Sequence, residues 1–332
     1  MNCYVYKLNF TTPVHFGERS LADSTTTCRA DTLFSAICIS WMKAFGNIDD
    51  LIEGVNKDEF ILSDTFPYIE NELYVTKPII YLERDKNIKE KIDKKEMKSI
   101  KFIPLNKFQK YIKALKKGDE PPFDYKRIKF STEEVVRKVS IKREEEILDN
   151  GNIKQSEPYT VSIQRFEANC GLYFIIKTNE DLKNKLDIAL DILSTIGLGG
   201  KRSLGYGKFE FNSFINKEID KMISSDGDYY MNLTTFLPKR EELSKFDREK
   251  STYMLAERSG FVESMTYSKG ARKKKPVVMF ASGSCFDKKL EGQLIDVSYD
   301  YGNHPVYKYG KPLFMGVRVW SKYQMFSFIR WD

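Results

Sequence analysis

Histidine is nearly missing from this 332-residue chain: His15 and His304 are the only two. A metal centre built mainly on imidazole is therefore not expected. The five cysteines, Cys3, Cys28, Cys38, Cys170 and Cys285, are scattered, odd in number and without a C-x-x-C pair. That pattern argues against a disulfide framework or a zinc knuckle, and for reduced, mostly buried thiols in a cytoplasmic protein. No stretch approaches the roughly 18 consecutive apolar residues of a membrane span. The opening Met1-Asn2-Cys3-Tyr4-Val5-Tyr6-Lys7 lacks the charged-then-apolar pattern of a secretory signal. No metal, cofactor or membrane partner is expected.

What is present is a core and a basic surplus. Hydrophobic residues make up 41% and aromatics 14%, with 23 Phe and 19 Tyr, which excludes a disordered or collagen-like chain. The net charge of +7, from 54 Lys+Arg against 47 Asp+Glu, suits an acidic partner.

Residues 3–10 read as a strand. After a polar loop, Leu33, Phe34, Ile37, Cys38, Trp41 and Phe45 recur at spacings of three and four, predicting a helix that stops at Gly46. Asp31 stands where it would cap that helix. Residues 60–82 suggest a hairpin turning at Ile69-Glu70-Asn71-Glu72. Residues 84–129 hold 16 Lys/Arg against 7 Asp/Glu and read as a solvated insertion whose lysines, as a group, would face phosphates. Residues 135–166 alternate on both sides of Asp149-Asn150-Gly151-Asn152, a strong turn signal, and predict a long hairpin that projects from the body. A strand over 172–177 and a helix over 179–196 follow, with Thr178 and Asp181 as its expected capping box. The order, with insertions removed, is βαββαβ, the split unit of ferredoxin-like folds. Beyond Phe214 the patterns are shorter, with strands expected at 228–236, 276–280 and 313–320.

Five glycines fall within eleven residues at Gly197-Leu198-Gly199-Gly200-Lys201-Arg202-Ser203-Leu204-Gly205-Tyr206-Gly207. Glycine opens the backbone to close approach, and Lys201, Arg202 and Ser203 add cationic and hydroxyl donors, which is phosphate-binding chemistry. The mononucleotide fingerprints do not fit. Thr195 stands where a Walker loop needs glycine, and Arg202 where a Rossmann loop needs its third.

A helix followed by G-x-G-G-x-R-S-x-G-x-G entering a strand resembles the signature of the RAMP superfamily of CRISPR RNA-binding proteins. Val14-His15-Phe16-Gly17 followed by Arg29-Ala30-Asp31-Thr32-Leu33-Phe34-Ser35-Ala36-Ile37 is similar to the opening of one family within it, the fourth subunit of the type III-A (Csm) effector complex, which caps the crRNA 5′ end. Arg137-Lys138-Val139-Ser140-Ile141-Lys142-Arg143, with Leu172-Tyr173-Phe174 after the hairpin, resembles that family's thumb region. Ala256-Glu257-Arg258-Ser259-Gly260-Phe261 and Gly302-Asn303-His304-Pro305-Val306-Tyr307-Lys308-Tyr309-Gly310 resemble its second-half motifs. No counterpart of the glycine loop occurs in the second half.

The resemblance implies an α+β protein of tandem ferredoxin-like (RRM-like) domains with a projecting β-hairpin thumb. Residues 1–212 would form the RNA-binding domain and 213–332 a C-terminal domain. Its implied role is non-catalytic: gripping the 5′ repeat-derived tag of crRNA and bridging the large polymerase-like subunit to the backbone RAMP subunit in antiviral defence. Expected RNA contacts are His15 and Arg19 in the first loop, then Arg137, Lys138 and Arg143 in the hairpin. The glycine loop adds Gly197, Gly199, Gly200, Lys201, Arg202, Ser203, Gly205 and Gly207, and the basic run of the second half adds Arg272, Lys273 and Lys274. Two rivals remain at this point. One is a metal-independent endoribonuclease that processes repeat RNA with His15 as base. The other is a protein-only scaffold. His304, beside Pro305, reads as a turn residue.

Overall fold

The structure is a computed structural model, and it describes residues 1–18, 20–82, 93–139, 158–264, 266–268 and 272–319. Arg19, Arg143, the expected hairpin tip and the start of the basic run at Lys269 lie outside the described residues.

In chain order the first half contains β1 (Asn2–Phe10), α1 (Ala30–Phe45), α2 (Asp49–Asn56), β2 (Phe60–Leu62), β3 (Phe66–Ile69), β4 (Glu72–Thr76), α3 (Lys94–Ser99), β5 (Phe102–Pro104), α4 (Phe108–Lys117), β6 (Ser131–Val139), β7 (Pro158–Phe166), β8 (Cys170–Thr178), α5 (Glu180–Ile196) and β9 (Phe209–Ile215). The second half adds α6 (Lys217–Ser224), β10 (Tyr229–Asn232), β11 (Leu255–Arg258), β12 (Phe261–Val262), β13 (Arg272–Lys273), β14 (Val277–Phe280), β15 (Cys285–Phe286), β16 (Ile295–Asp296), β17 (Tyr307–Lys308) and β18 (Phe314–Val317).

A seven-stranded sheet runs β5-β4-β3-β8-β1-β9, with β2 also pairing β8. Side chains alternate along β1, so Tyr4, Tyr6 and Leu8 enter one core while Cys3 and Val5 enter another. On the first face, Leu33, Phe34, Ile37 and Trp41 of α1 meet Leu186, Ala189, Leu190 and Leu193 of α5. Burying each such Leu, Ile or Phe contributes about 1.5–3 kcal/mol. Gly46 ends α1 in the left-handed region (φ 79°) and donates its N–H to Met42 O.

The opposite face is also covered. Leu105, Phe108, Tyr111 and Ile112 pack there beside Ile219, Met231, Leu313 and Val317 of the second half. The described part of the basic segment is therefore no solvated insertion. Its apolar stripe seals the sheet while lysines such as Lys101, Lys110 and Lys113 stay exposed.

Two helix caps differ from expectation. Asn179, not Thr178, caps α5: its side chain accepts from Leu182 N at 2.9 Å, whereas Thr178 Oγ1 is buried without a partner. Asp31 does not cap α1. Asp64, in the β2–β3 connection, accepts from Ala30 N at 2.8 Å and from Thr235 N and Oγ1 at 2.8 and 2.7 Å. Burial raises the Asp64 pKa, and hydrogen bonds from Thr235 and Ala30 oppose the rise without cancelling it.

Asp31, only 2% exposed, turns instead toward the second half. Arg258 approaches it with Nε at 3.1 Å and a terminal nitrogen at 3.0 Å, and Lys308 Nζ lies at 3.0 Å. Burial alone would raise its pKa, but the two cations reverse this and hold the carboxyl well below the usual carboxylate range. A buried charge demands counter-charges far more strongly than a helix end demands a cap, so the long-range pairing wins.

Beyond β9, which continues to Ile215, the elements shorten. The second half has a three-stranded sheet β15-β10-β18, with α6 packed on β18, and the ribbons β11–β14, β12–β13 and β16–β17. Its own core is a cluster of Phe236, Phe246, Phe280, Phe286 and Phe314. Among the described residues no helix is long and apolar enough to cross a membrane.

Candidate nucleic-acid interface

The glycine loop leaves α5 at Gly197 and closes on itself. Leu198 N donates to Gly207 O, and Gly207 N donates to Pro13 O, both at 2.8 Å. A Cβ on Gly207 would stand 2.1 Å from Leu198 O, at φ 79°. Gly200 N donates to His15 O at 2.8 Å, and a Cβ there would meet the His15 ring at 2.8 Å. The close approach that these glycines permit is thus to the His15 segment of the protein itself. The outward part of the loop is Ser203–Gly205: Ser203 and Leu204 are exposed and a Cβ on Gly205 would meet nothing within 4 Å, while Lys201 and Arg202 are half-buried.

His15 is 4% exposed, and its Nδ1 lies 2.7 Å from Ser162 O on β7. A carbonyl only accepts, so Nδ1 carries the proton. The residue pins together the segment after β1, the glycine loop and the hairpin strand.

Lys201 holds a left-handed backbone (φ 58°), which costs a non-glycine residue roughly 1–2 kcal/mol. Its amine lies 4.6 Å above the Tyr159 ring. Lys138, directly opposite Tyr159 in the β6–β7 register, reaches 5.7 Å above Tyr206 of the loop. Two cation–ring pairs therefore lash the hairpin base to the glycine loop. Arg202 forms an ion pair with Glu263, and its burial lowers its pKa. Arg137 and Ser203 are exposed.

A cleft of about 330 Å³ opens here, lined by His15, Arg29, Gly200, Lys201, Arg258 and Phe261 among others. A second depression of about 170 Å³ shares Thr25, Thr27 and Arg29 with it and leads on to Lys101 and Ser282. Together they make a trough lined by cations and hydroxyls, in which Arg29 pairs with Glu18 at 2.5 Å and Arg258 is held by Asp31, leaving Lys201 and Lys101 as its other cations among the described residues. The structure brings His15, Gly199, Gly200 and Lys201 into one wall of the cleft.

The basic run splits. Arg272 lies 5.3 Å from the Tyr301 ring and Lys273 5.9 Å from Phe261, both exposed. Lys274 turns inward, with its Nζ 3.3 Å from Ser35 Oγ. Burial and the neighbouring Lys308 push its amine down to about 8. His304 does sit in a turn, with Nε2 2.7 Å from Ser264 Oγ.

Sequence reasoning did not select Arg29, Arg258 or Phe261 as site residues. The usable signal was Arg258-Ser259-Gly260-Phe261, a cation and an aromatic flanking a glycine with φ 130°.

The sheet and the cation-flanked glycine turn define a RAMP protein, and a family model described as the RAMP superfamily matches residues 7–210. A second model, described as the CRISPR Csm4 C-terminal domain, matches residues 225–317. The chain is 34% identical over 325 residues to the CRISPR system Cms protein Csm4 of Streptococcus thermophilus, covering 95% of this chain and 99% of that one. It is 32% identical over 320 residues to the same-named protein of Mycobacterium tuberculosis (strain ATCC 25618 / H37Rv), covering 96% and 98%. The chain belongs to the Csm4 family. Among solved structures, the Csm3–Csm4 subcomplex of a type III-A CRISPR-Cas interference complex matches with a TM-score of 0.60 at 19% identity, covering 95% of this chain and 99% of that chain. A Csm1–Csm4 cassette in complex with cA4 matches with a TM-score of 0.57 at 19% identity, covering 96% and 99%.

Proposed function

We propose that the chain is a non-catalytic crRNA-binding subunit of a type III-A Csm effector complex. It grips the 5′ repeat-derived tag and bridges the large polymerase-like subunit to the backbone RAMP subunit, as relatives crystallised with Csm1 and with Csm3 suggest. The observation that carries the reading is the cleft itself, where Lys201 on the first half faces Arg258 and Phe261 on the second. Phosphates would be met by Lys201, by Arg202 once released from Glu263, and by Arg137 on the hairpin. Bases splayed from a single strand would enter the trough. We read the first unit, drawn at 1–212 and extended to Ile215 where β9 ends, as a ferredoxin-like RNA-holding domain with the hairpin as its thumb, and the rest of the chain to 332 as a C-terminal ferredoxin-like domain.

His15 serves this function as a frame residue. One of its ring nitrogens is committed to Ser162 O, and its carbonyl to Gly200 N.

The test is affinity for single-stranded tag RNA as a function of salt. A steep log–log dependence is expected, with the double change Lys201→Ala/Arg202→Ala weakening binding and flattening the slope by about 1–2. A flat dependence in the wild type would sink the reading. Incubation with repeat RNA in EDTA should leave the RNA intact; specific cuts lost in His15→Ala would replace this function with the nuclease.

A further inference from the structure

The aromatic rings near the glycine loop and the cleft are not equivalent: Phe16, which lines the cleft, is buried. Tyr159 and Tyr206 are half-buried, each with an ammonium over it from across the hairpin–loop junction. Phe261 is 60% exposed, although it is a large apolar ring on a strand of only two residues. Gly260, with φ 130° and open space around it, turns the backbone just before the ring. Two contacts fix this placement: Lys274 N donates to Gly260 O at 2.8 Å, and Phe261 pairs with Lys273 in the β12–β13 ribbon. The ring thus lines the same cleft as Gly199, Gly200 and Lys201, with Lys273 beside it at 5.9 Å.

A water-exposed ring next to a cation at the edge of a cleft is not accounted for by packing, since no core cluster contains it. It matches what a single strand needs: a π-face for a base and a nearby positive charge for the phosphate. We propose that Phe261 is the base-stacking platform of the second half, and that Lys273 leaves its ring to meet the adjacent phosphate. The second half then binds RNA directly, although it lacks a glycine loop. This inference rests on the crRNA-binding reading above and adds a ligand-contacting residue to it.

The test uses the full chain and single-stranded tag RNA carrying 2-aminopurine at successive positions. Phe261→Ala should weaken binding about 5- to 150-fold, the effect of losing one stacked base, while leaving the salt slope unchanged. It should also restore 2-aminopurine fluorescence at one position only. Phe261→Trp should keep both affinity and quenching, and Lys273→Ala should reduce the salt slope by about 1. If Phe261→Ala binds like wild type while Lys201→Ala weakens binding, the platform is wrong and the functional reading stands. If Phe261→Trp fails as Phe261→Ala does, the ring acts by shape and stacking is overturned. If neither Lys201→Ala nor Phe261→Ala affects binding, the functional reading falls and takes the platform with it.

Discussion

The two halves of the molecule are held in different ways. The first half is a broad sheet with an apolar layer on each face, so its cohesion is distributed over many side chains. The second half has strands of two to four residues and a cluster of phenylalanines, and it joins the first in two ways: Ile219, Met231, Leu313 and Val317 share the apolar layer under the sheet, while the buried carboxylates Asp31 and Asp64 hold the segments beside the cleft. Dispersion and burial tolerate local loss. A charge stripped of its partners deep inside does not. Placement beside the cleft of β11 and β17, which carry Arg258 and Lys308, should therefore hinge on Asp31 more than on apolar packing.

The sharpest way to break this contrast is Asp31→Ala. Arg258 and Lys308 would be left as uncompensated buried cations, at a cost of about 3–5 kcal/mol. Hydrogen exchange should show protection lost first in β11 and β17, with the β1–β8 ladder less affected. Acid should do the same in the wild type. The Asp31 carboxyl titrates lower folded than unfolded, so its stabilisation is complete above the unfolded value of 3.8 and is lost as pH falls toward the folded one. Asp31→Asn should flatten that part of the stability profile, as measured by denaturant midpoints against pH.

Leu186→Ala is the converse. It removes a fully buried side chain from the α1–α5 layer and should cost about 2–5 kcal/mol, lowering the denaturant midpoint while exchange rises first in α5 and β1. If it loosens β11 as strongly as Asp31→Ala does, the two halves form one cooperative unit and the contrast fails. Asn179→Ala should cost least, about 1 kcal/mol, seen as a small drop in Tm without selective loosening of either half.

The legible parts of this fold were those set by local periodicity. The stripe Leu33–Phe34–Ile37–Trp41 and its counterpart in α5 placed both helices, and Gly46 marked the end of α1. The caps were misassigned because an acidic or hydroxyl residue near a helix start is a weak local signal. It gave way at Asp31 to a partner 227 residues away, and at the start of α5 to Asn179 one position along. In residues 84–129 the sixteen cations masked the stripe of Leu105, Phe108, Tyr111 and Ile112, whose spacing is helical. The glycine loop was legible as a place of close backbone approach. Whether the approaching group is ligand or protein is set by tertiary contact, and here it is His15. Two-residue strands such as β12 and β13 carry no period at all, so the Phe261 side of the cleft could not be drawn from pattern.

Sheets of this kind often offer an open face on which unpaired bases lie flat. That option is closed here, because residues 105–112 and the second half occupy the face that such bases would use. Under the proposed function, a polynucleotide would instead pass the rim, where loops and short ribbons meet. On the same reading, the chain would serve as an end-stop whose RNA contacts lie at the rim while the breadth of the sheet provides cohesion.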